Sequence, residues 1–231
     1  MQVLWGDGAR PGSRQALSLD RIVEAGIAIA DADGIAALSM ARLAERLGSA
    51  TMSLYRHVSN KDELLVFMMD AAPGEPPTLP AGGWRAATEA WTRALRGVYY
   101  AHPWILQVIA GRPPLEPGQL AWLDRGLSAF ADTDLDHGDR FEAVMTLLYY
   151  VRGEAQVMTA AYVPDAGGDP DEYGRLIAQF VRPDRFPALA AASDAGIFRA
   201  PAAEPDPLES FDFGLTRILD GIERLIRSTN P

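Results

Sequence analysis

The segment Met40-Ala41-Arg42-Leu43-Ala44-Glu45-Arg46-Leu47-Gly48-Ser49-Ala50-Thr51-Met52-Ser53-Leu54-Tyr55-Arg56-His57 constrains this chain more than any other. Two short helices meeting near a right angle need a small residue at their contact, a turn residue tolerant of positive φ, and apolar residues clamping both to a third helix. Ala44, Gly48 and then Leu43, Leu47 and Leu54 meet those demands. A plain helical hairpin in a core would need the small residues alone; here charge coincides with them. Across 39–61 stand Arg42, Arg46, Arg56 and Lys61 against Glu45, a local excess of +3 in a chain whose net charge is −10. An acidic balance argues against a nucleic-acid coat over the whole surface and leaves room for one local patch. The pattern is that of a helix-turn-helix whose second helix enters a major groove. Thr51, Met52 and Ser53 then face base edges and methyl groups, and Tyr55, Arg56, His57 and Lys61 hold phosphates.

Helical spacing recurs along the whole chain, and few runs alternate apolar and polar residues, so the expected fold is all-α. Helices are expected near 19–32, with Ser18 as N-cap and Asp33-Gly34 as stop, then 40–47, 50–57 and 60–72. Ser59 with Asp62, or Asn60 with Glu63, approximates a capping box at the start of the fourth. Residues 73–83, PGEPPTLPAGG, hold four prolines and three glycines and mark a domain boundary. Further helices are expected near 84–101, 103–110, 117–130, 139–162, 173–181, 187–193 and 208–227. The organisation expected is therefore an N-terminal arm at 1–17, read as a flexible tail, a helix-turn-helix DNA-binding domain at 18–72, and a larger helical ligand-binding and dimerisation domain at 73–231. Arg10 and Arg14 in the arm offer an alternative role in an adjacent minor groove.

With 231 residues, 48% of them hydrophobic, the chain can bury a substantial core. The absence of cysteine removes thiolate nucleophiles and cysteine-ligated metals, and His57, His102 and His137 are too scattered for a metal cluster, so no metal or cofactor is expected. No signal peptide is read in the first 15 residues, and the longest notable uncharged stretch, 97–111, falls short of the roughly 20 apolar residues of a membrane span. A cytoplasmic protein without membrane contact is expected. An enzyme would need a nucleophile–base spacing, a phosphate loop or a metal motif; Glu154 or Asp124 as base with His102 or Arg112 beside it is the nearest approach, and it leaves the helix-turn-helix unexplained.

The run from Leu38 through Leu65, ungapped across Leu54-Tyr55-x-His57-Val58-x-Asn60-Lys61, resembles the DNA-binding signature of the tetracycline-repressor (TetR) family. Gly111-Arg112-Pro113 is similar to a turn of its tetracycline-responsive members, and Phe213-Gly214-Leu215 with Ile218 and Gly221-Ile222-Glu223 to their last helix. The resemblance implies a homodimeric transcriptional regulator, usually a repressor, that releases a palindromic double-stranded operator when a small molecule enters the larger domain. Activation, or regulation without an effector, is the alternative. It implies DNA contacts at Ser39, Met40, Thr51, Met52, Ser53, Tyr55, His57 and Lys61. Ala41 stands where tetracycline-responsive members carry a base-reading arginine, which implies a different operator.

In the larger domain, Phe211, Leu215, Ile218, Ile222 and Leu225 form an apolar stripe, and Phe141, Val144, Met145, Leu148 and Val151 a second. Periodicity alone fits an intrachain core or a dimer interface; the resemblance implies a four-helix bundle between subunits, with the first stripe at its interface. Aromatic residues crowd positions 84–180, each by itself a natural core residue. Together with Arg112, Arg152, Glu154 and Gln156 they suit a mostly apolar pocket. Trp104, Val108, Arg112, Phe141, Met145 and Tyr149 are the expected ligand set, four of them (Val108, Arg112, Met145, Tyr149) through the resemblance. Val108 and Tyr149 replace family histidines, the first of them magnesium-binding, and Ala90 an asparagine that grips tetracycline. The implied effector is larger or more apolar than tetracycline and bound without metal.

Overall fold

The computed structural model describes residues 17–108, 115–161, 172–198 and 208–229, and these residues are helical with no strand among them. The order is α1 (Leu19–Asp33), α2 (Met40–Arg46), α3 (Thr51–Leu54), α4 (Lys61–Ala71), α5 (Trp84–Ala101), α6 (Trp104–Val108), α7 (Pro117–Ser128), α8 (His137–Ala161), α9 (Glu172–Phe180), α10 (Pro187–Asp194) and α11 (Glu209–Thr229). Two compact units partition the chain. The first runs through residue 159 and takes in α11 from Leu215; the second spans 160–214, where α9 packs on α10.

Local chemistry sets the first helices. Ser18 accepts from the Arg21 N–H at 3.3 Å, Ser39 from the Arg42 N–H at 3.2 Å, and Asn60 from the Glu63 N–H at 2.8 Å, so each start has a donor satisfied by its own cap. Glu63 reaches back to the Ser59 N–H at 2.6 Å, and that bond holds its carboxyl below the usual glutamate value. Of the two expected capping pairs, Asn60 with Glu63 forms. Between α2 and α3 the chain turns at Gly48, with φ of 59°, a conformation that charges a β-carbon a steric penalty. Ile22, Ile29, Leu38, Leu43, Leu54, Leu64 and Met68 close a small apolar core among α1–α4. The crossing of α1 on α4 is tight, since a β-carbon at Gly26 would lie 2.9 Å from the Met68 sulfur.

The helix expected over 50–57 is shorter than its pattern suggests. It spans Thr51–Leu54 and continues as a turn, with the His57 N–H bonding to Leu54 O at 2.8 Å. Ala50 offers no side-chain cap, and the Val58 side chain must reach the core just after the turn.

Longer-range contacts build the rest of the first unit. Trp91 Nε1 donates to Trp122 O at 2.9 Å, joining α5 to α7. Gly126 lets α7 approach closely, as a β-carbon there would lie 2.9 Å from the Trp91 ring and 3.1 Å from Val144. Arg96 on α5 pairs with Glu154 on α8 at 2.9 Å, both side chains nearly buried, and the guanidinium lies 4.0 Å from the Tyr100 ring centroid. Burial, then the Glu154 carboxylate, pushes the Tyr100 phenol up to about 12. Arg85 ties α5 to α11 through Asp220 at 2.7 Å and Glu223 at 3.4 Å.

The stripe expected at the dimer interface needs correction. Phe211, Leu215 and Ile222 are buried within the chain, along with Leu219, so their area is already removed from solvent. Ile218 is half-buried and Leu225 exposed, on a neighbouring flank of α11. An apolar stripe this wide contains both a core face and a flank, and periodicity does not separate them.

Candidate functional site

Two sites lie within the first unit. One is the surface of α2, α3 and the turn after it. Met52 is 75% exposed, Tyr55 44%, and Ser39, Arg56 and His57 are also exposed; Met40, Thr51, Ser53 and Lys61 are half-buried. Leu54 and Val58, buried between and beside them, fix the orientation of this turn by anchoring it to the core. Two of the expected DNA-facing side chains also have internal work. Ser39 Oγ caps α2, and Lys61 Nζ donates to Leu38 O at 2.7 Å, fastening the start of α4 to the entry of α2. Arg42, also in the basic island, pairs with Asp33 at 2.7 Å. Methionine at three-quarters exposure on the helix that leads this face leaves apolar area in water, the kind of group that matches a thymine methyl.

The other site is a cavity enclosing about 650 Å³ of space, its solvent-filled mouth included. Met69 and Pro73 close it at the end of α4; Trp91, Leu95, Val98 and Tyr99 come from α5, Ile105 from α6, Gln119, Trp122 and Leu123 from α7, and Val144, Met145, Leu148 and Arg152 from α8. The wall is largely apolar, and its charged member is Arg152, whose Nε donates to Tyr99 Oη at 3.0 Å.

This lining corrects the expected ligand set. Met145 is in the wall. Trp104 is buried, but its Nε1 donates to Asp31 at 2.7 Å and its ring lies outside the lining. Val108 ends α6, also outside it, and Arg112 falls outside the described residues. Phe141 and Tyr149 are 42% and 61% exposed. The reason is rotational: α8 turns Val144, Leu147, Val151 and Ala155 to the core, which carries Tyr149 to the outer side. The expectation missed Leu95, Val98 and Gln119. Spacing on α5 held the signal, since Trp91, Leu95 and Val98 follow one another at four and three residues on one helical face.

Head and cavity are physically joined. Asp31 near the end of α1 accepts from Trp104 Nε1 and from His102 Nδ1 at 2.8 Å, beside Ile105 of the cavity. Asp70 near the end of α4 accepts from the Gly118 N–H at 2.6 Å, at the start of α7; burial raises its carboxyl above the usual aspartate value. Trp122 Nε1, from the cavity wall, donates to Gly74 O at 2.9 Å. As for the other residues of the enzyme alternative, the Glu154 carboxylate is occupied by Arg96 and Tyr100, and His102 by Asp31. Among the described residues no group of acidic or histidine side chains is placed to hold a metal ion, and no helix is long and apolar enough to cross a membrane.

Comparison with known proteins identifies the family. Residues 22–66 match the model for bacterial regulatory proteins of the tetR family, and 76–226 match that for the tetracyclin repressor-like C-terminal domain. The chain is 38% identical to the HTH-type transcriptional repressor DrrR1 of Streptomyces coeruleorubidus, over 98% of this chain and 85% of that protein. It is 28% identical to the class A tetracycline repressor of transposon 1721 from Escherichia coli, over 90% and 91%. Among solved structures, Streptomyces coelicolor ActR in complex with actinorhodin superposes with a TM-score of 0.75 at 28% identity, covering 90% of this chain and 98% of that one. With a helix-turn-helix at its head, a cavity behind it and a match over nearly its whole length, the chain belongs to the TetR family of transcriptional regulators, not to a family of enzymes.

Proposed function

We propose that this protein is a homodimeric repressor that holds a palindromic operator through α2 and α3 and lets it go when a small molecule occupies the cavity. One observation carries the reading: α4, which begins directly behind the DNA-facing turn, supplies Met69 to the cavity wall. An occupant of the cavity therefore touches the same helix that positions the head. Streptomyces coelicolor ActR has been solved in complex with actinorhodin and with (S)-DNPA, which supports a small-molecule effector here.

In the operator-bound state the two recognition helices of a dimer stand about 34 to 36 Å apart, matching successive major grooves. The effector must bind better to a conformation with another spacing, because only differential affinity shifts such an equilibrium. Displacing α6 pulls on Asp31 through Trp104 and His102, and displacing α4 or α7 strains the Asp70 and Trp122 bonds. These contacts are the levers. For the dimer, the outward faces of α8 and α11 in the first unit are suited: Tyr149 and Val157 are exposed, Leu225 is exposed beside Ile218, and Gly153 and Gly221 have open space where a β-carbon would stand. DNA lies in the cytoplasm, and the protein acts there.

The deciding test is an electrophoretic shift with DNA from the gene's own upstream region, at two salt concentrations and against unrelated competitor. Specific retention at dimer stoichiometry, weakening with salt, is the expected result. Tyr55→Phe and Arg56→Ala weaken it without changing the dimer mass, and unaltered affinity in both removes the assigned face.

A further inference from the structure

The effector's chemical class can be read from the cavity, an inference that rests on the ligand-responsive reading above. Three aromatic side chains, Trp91, Tyr99 and Trp122, form much of the wall and are nearly buried there. Both indoles have their N–H groups committed to backbone carbonyls, Trp91 to Trp122 O and Trp122 to Gly74 O. They therefore meet an occupant as flat apolar surface, which favours a planar π-system.

Against this wall stands one cation. Arg152 spends its Nε on Tyr99 Oη at 3.0 Å, and among the described residues its terminal nitrogens have no acceptor and no acid pairs with it. Arg96 on α5, by contrast, is neutralised by its pair with Glu154. A half-buried guanidinium held by a phenol, with no counter-charge and no acidic side chain among the described residues lining the cavity, is a site for an anion. Gln119, on the α7 side, adds an amide suited to a carbonyl or hydroxyl oxygen.

We propose that the effector is a planar, polycyclic aromatic molecule bearing an anionic group, a carboxylate or an acidic phenolate, with its rings among Trp91, Tyr99 and Trp122 and its charge at Arg152.

Calorimetric titration of the full-length protein with anthraquinone-2-carboxylate, its methyl ester and dodecanoate tests this. The carboxylate binds roughly tenfold tighter than the ester, the effect of one charge-assisted contact, and tighter than dodecanoate. In Arg152→Gln the preference over the ester falls below twofold, and Arg152→Lys, which keeps the charge, retains most of it. Equal binding of acid and ester, a preference untouched by Arg152→Gln, dodecanoate binding as well as the tricyclic acid, or no binding of any probe each overturns the assignment. Operator retention by the ligand-free protein is measured in parallel. Failure of the probes with DNA binding intact overturns the effector class alone, whereas loss of specific DNA binding strikes the regulatory reading.

Discussion

The head formed by α1–α4 and the cavity formed by α4–α8 are both helical and adjacent, yet they are specified differently. In the head, the bonds that set helix starts span three residues: Ser18 to Arg21, Ser39 to Arg42, Asn60 to Glu63. Around the cavity, the deciding contacts span 31 residues from Trp91 to Trp122, 48 from Trp122 to Gly74 and 58 from Arg96 to Glu154. A reading surface must be rigid relative to a repeating duplex, and short-range caps with a small closed core deliver that. A cavity needs walls from several helices, and only long-range packing brings them together. The helix-turn-helix depends on local sequence, while the cavity depends on how helices register against one another.

The contrast is broken most severely by unpairing the long-range ion pair. Arg96→Leu leaves the nearly buried Glu154 carboxylate without its guanidinium, and a loss of about 3 kcal/mol in chemical denaturation is expected. If the head were independent of the cavity, its operator affinity would survive well below the denaturation midpoint. Next comes Gly126→Ala, whose β-carbon meets the Trp91 ring and Val144; overpacking there costs about 1 to 3 kcal/mol and, measured by calorimetry, reduces probe binding in the cavity before it affects DNA retention. Asp31→Ala cuts a bond from the head to α6 and leaves Trp104 Nε1 unpaired. A cost of about 1 to 2 kcal/mol is expected, together with a weakened ability of effector to release operator, read by fluorescence anisotropy. On the local side, Asn60→Ala removes the α4 cap for about 1 kcal/mol, measured by thermal melting, without altering cavity binding.

The smallest effect is acid dependence, and it has opposite signs at the two ends of α4. Glu63 has a lowered pKa, so the unfolded chain binds its proton more readily; the capping contribution is complete above the ordinary glutamate value and is lost as pH falls through the lowered one. Asp70 has a raised pKa, so the native state holds the proton more tightly. Its contribution favours folding below the ordinary aspartate value and is lost as pH rises through the raised one. Carboxyl titration curves followed by NMR, displaced to opposite sides of the ordinary values, are the expected outcome.

Much of the fold was legible because helices are local. The spacing of apolar residues and the positions of Ser18, Gly34, Ser39, Gly48 and Asn60 place every helix start of the head within a residue of where it lies, since caps and turns act over three or four residues. The exception, the shortened α3, arose because Val58 is drawn into the core from a turn that helical periodicity ignores. The cavity was legible only in composition. Aromatic density and an arginine announced an apolar pocket with a charge, yet Phe141 and Tyr149 on α8 point away from it, because a helix that is apolar on several sides does not reveal in its own sequence which side meets its neighbours.

Sequence by itself determined the helix-turn-helix, the helical class, the absence of thiol chemistry and the basic island at the head, all consequences of residues within a few turns of one another. Only the tertiary structure decided that Phe211, Leu215 and Ile222 are core rather than free interface, that Trp91, Leu95 and Met69 share a wall with Arg152, and that Asp31 and Asp70 fasten the head to it. Those outcomes depend on the rotation of each helix about its own axis. That rotation is set by the summed burial of many partners distant in sequence, a quantity no single segment contains.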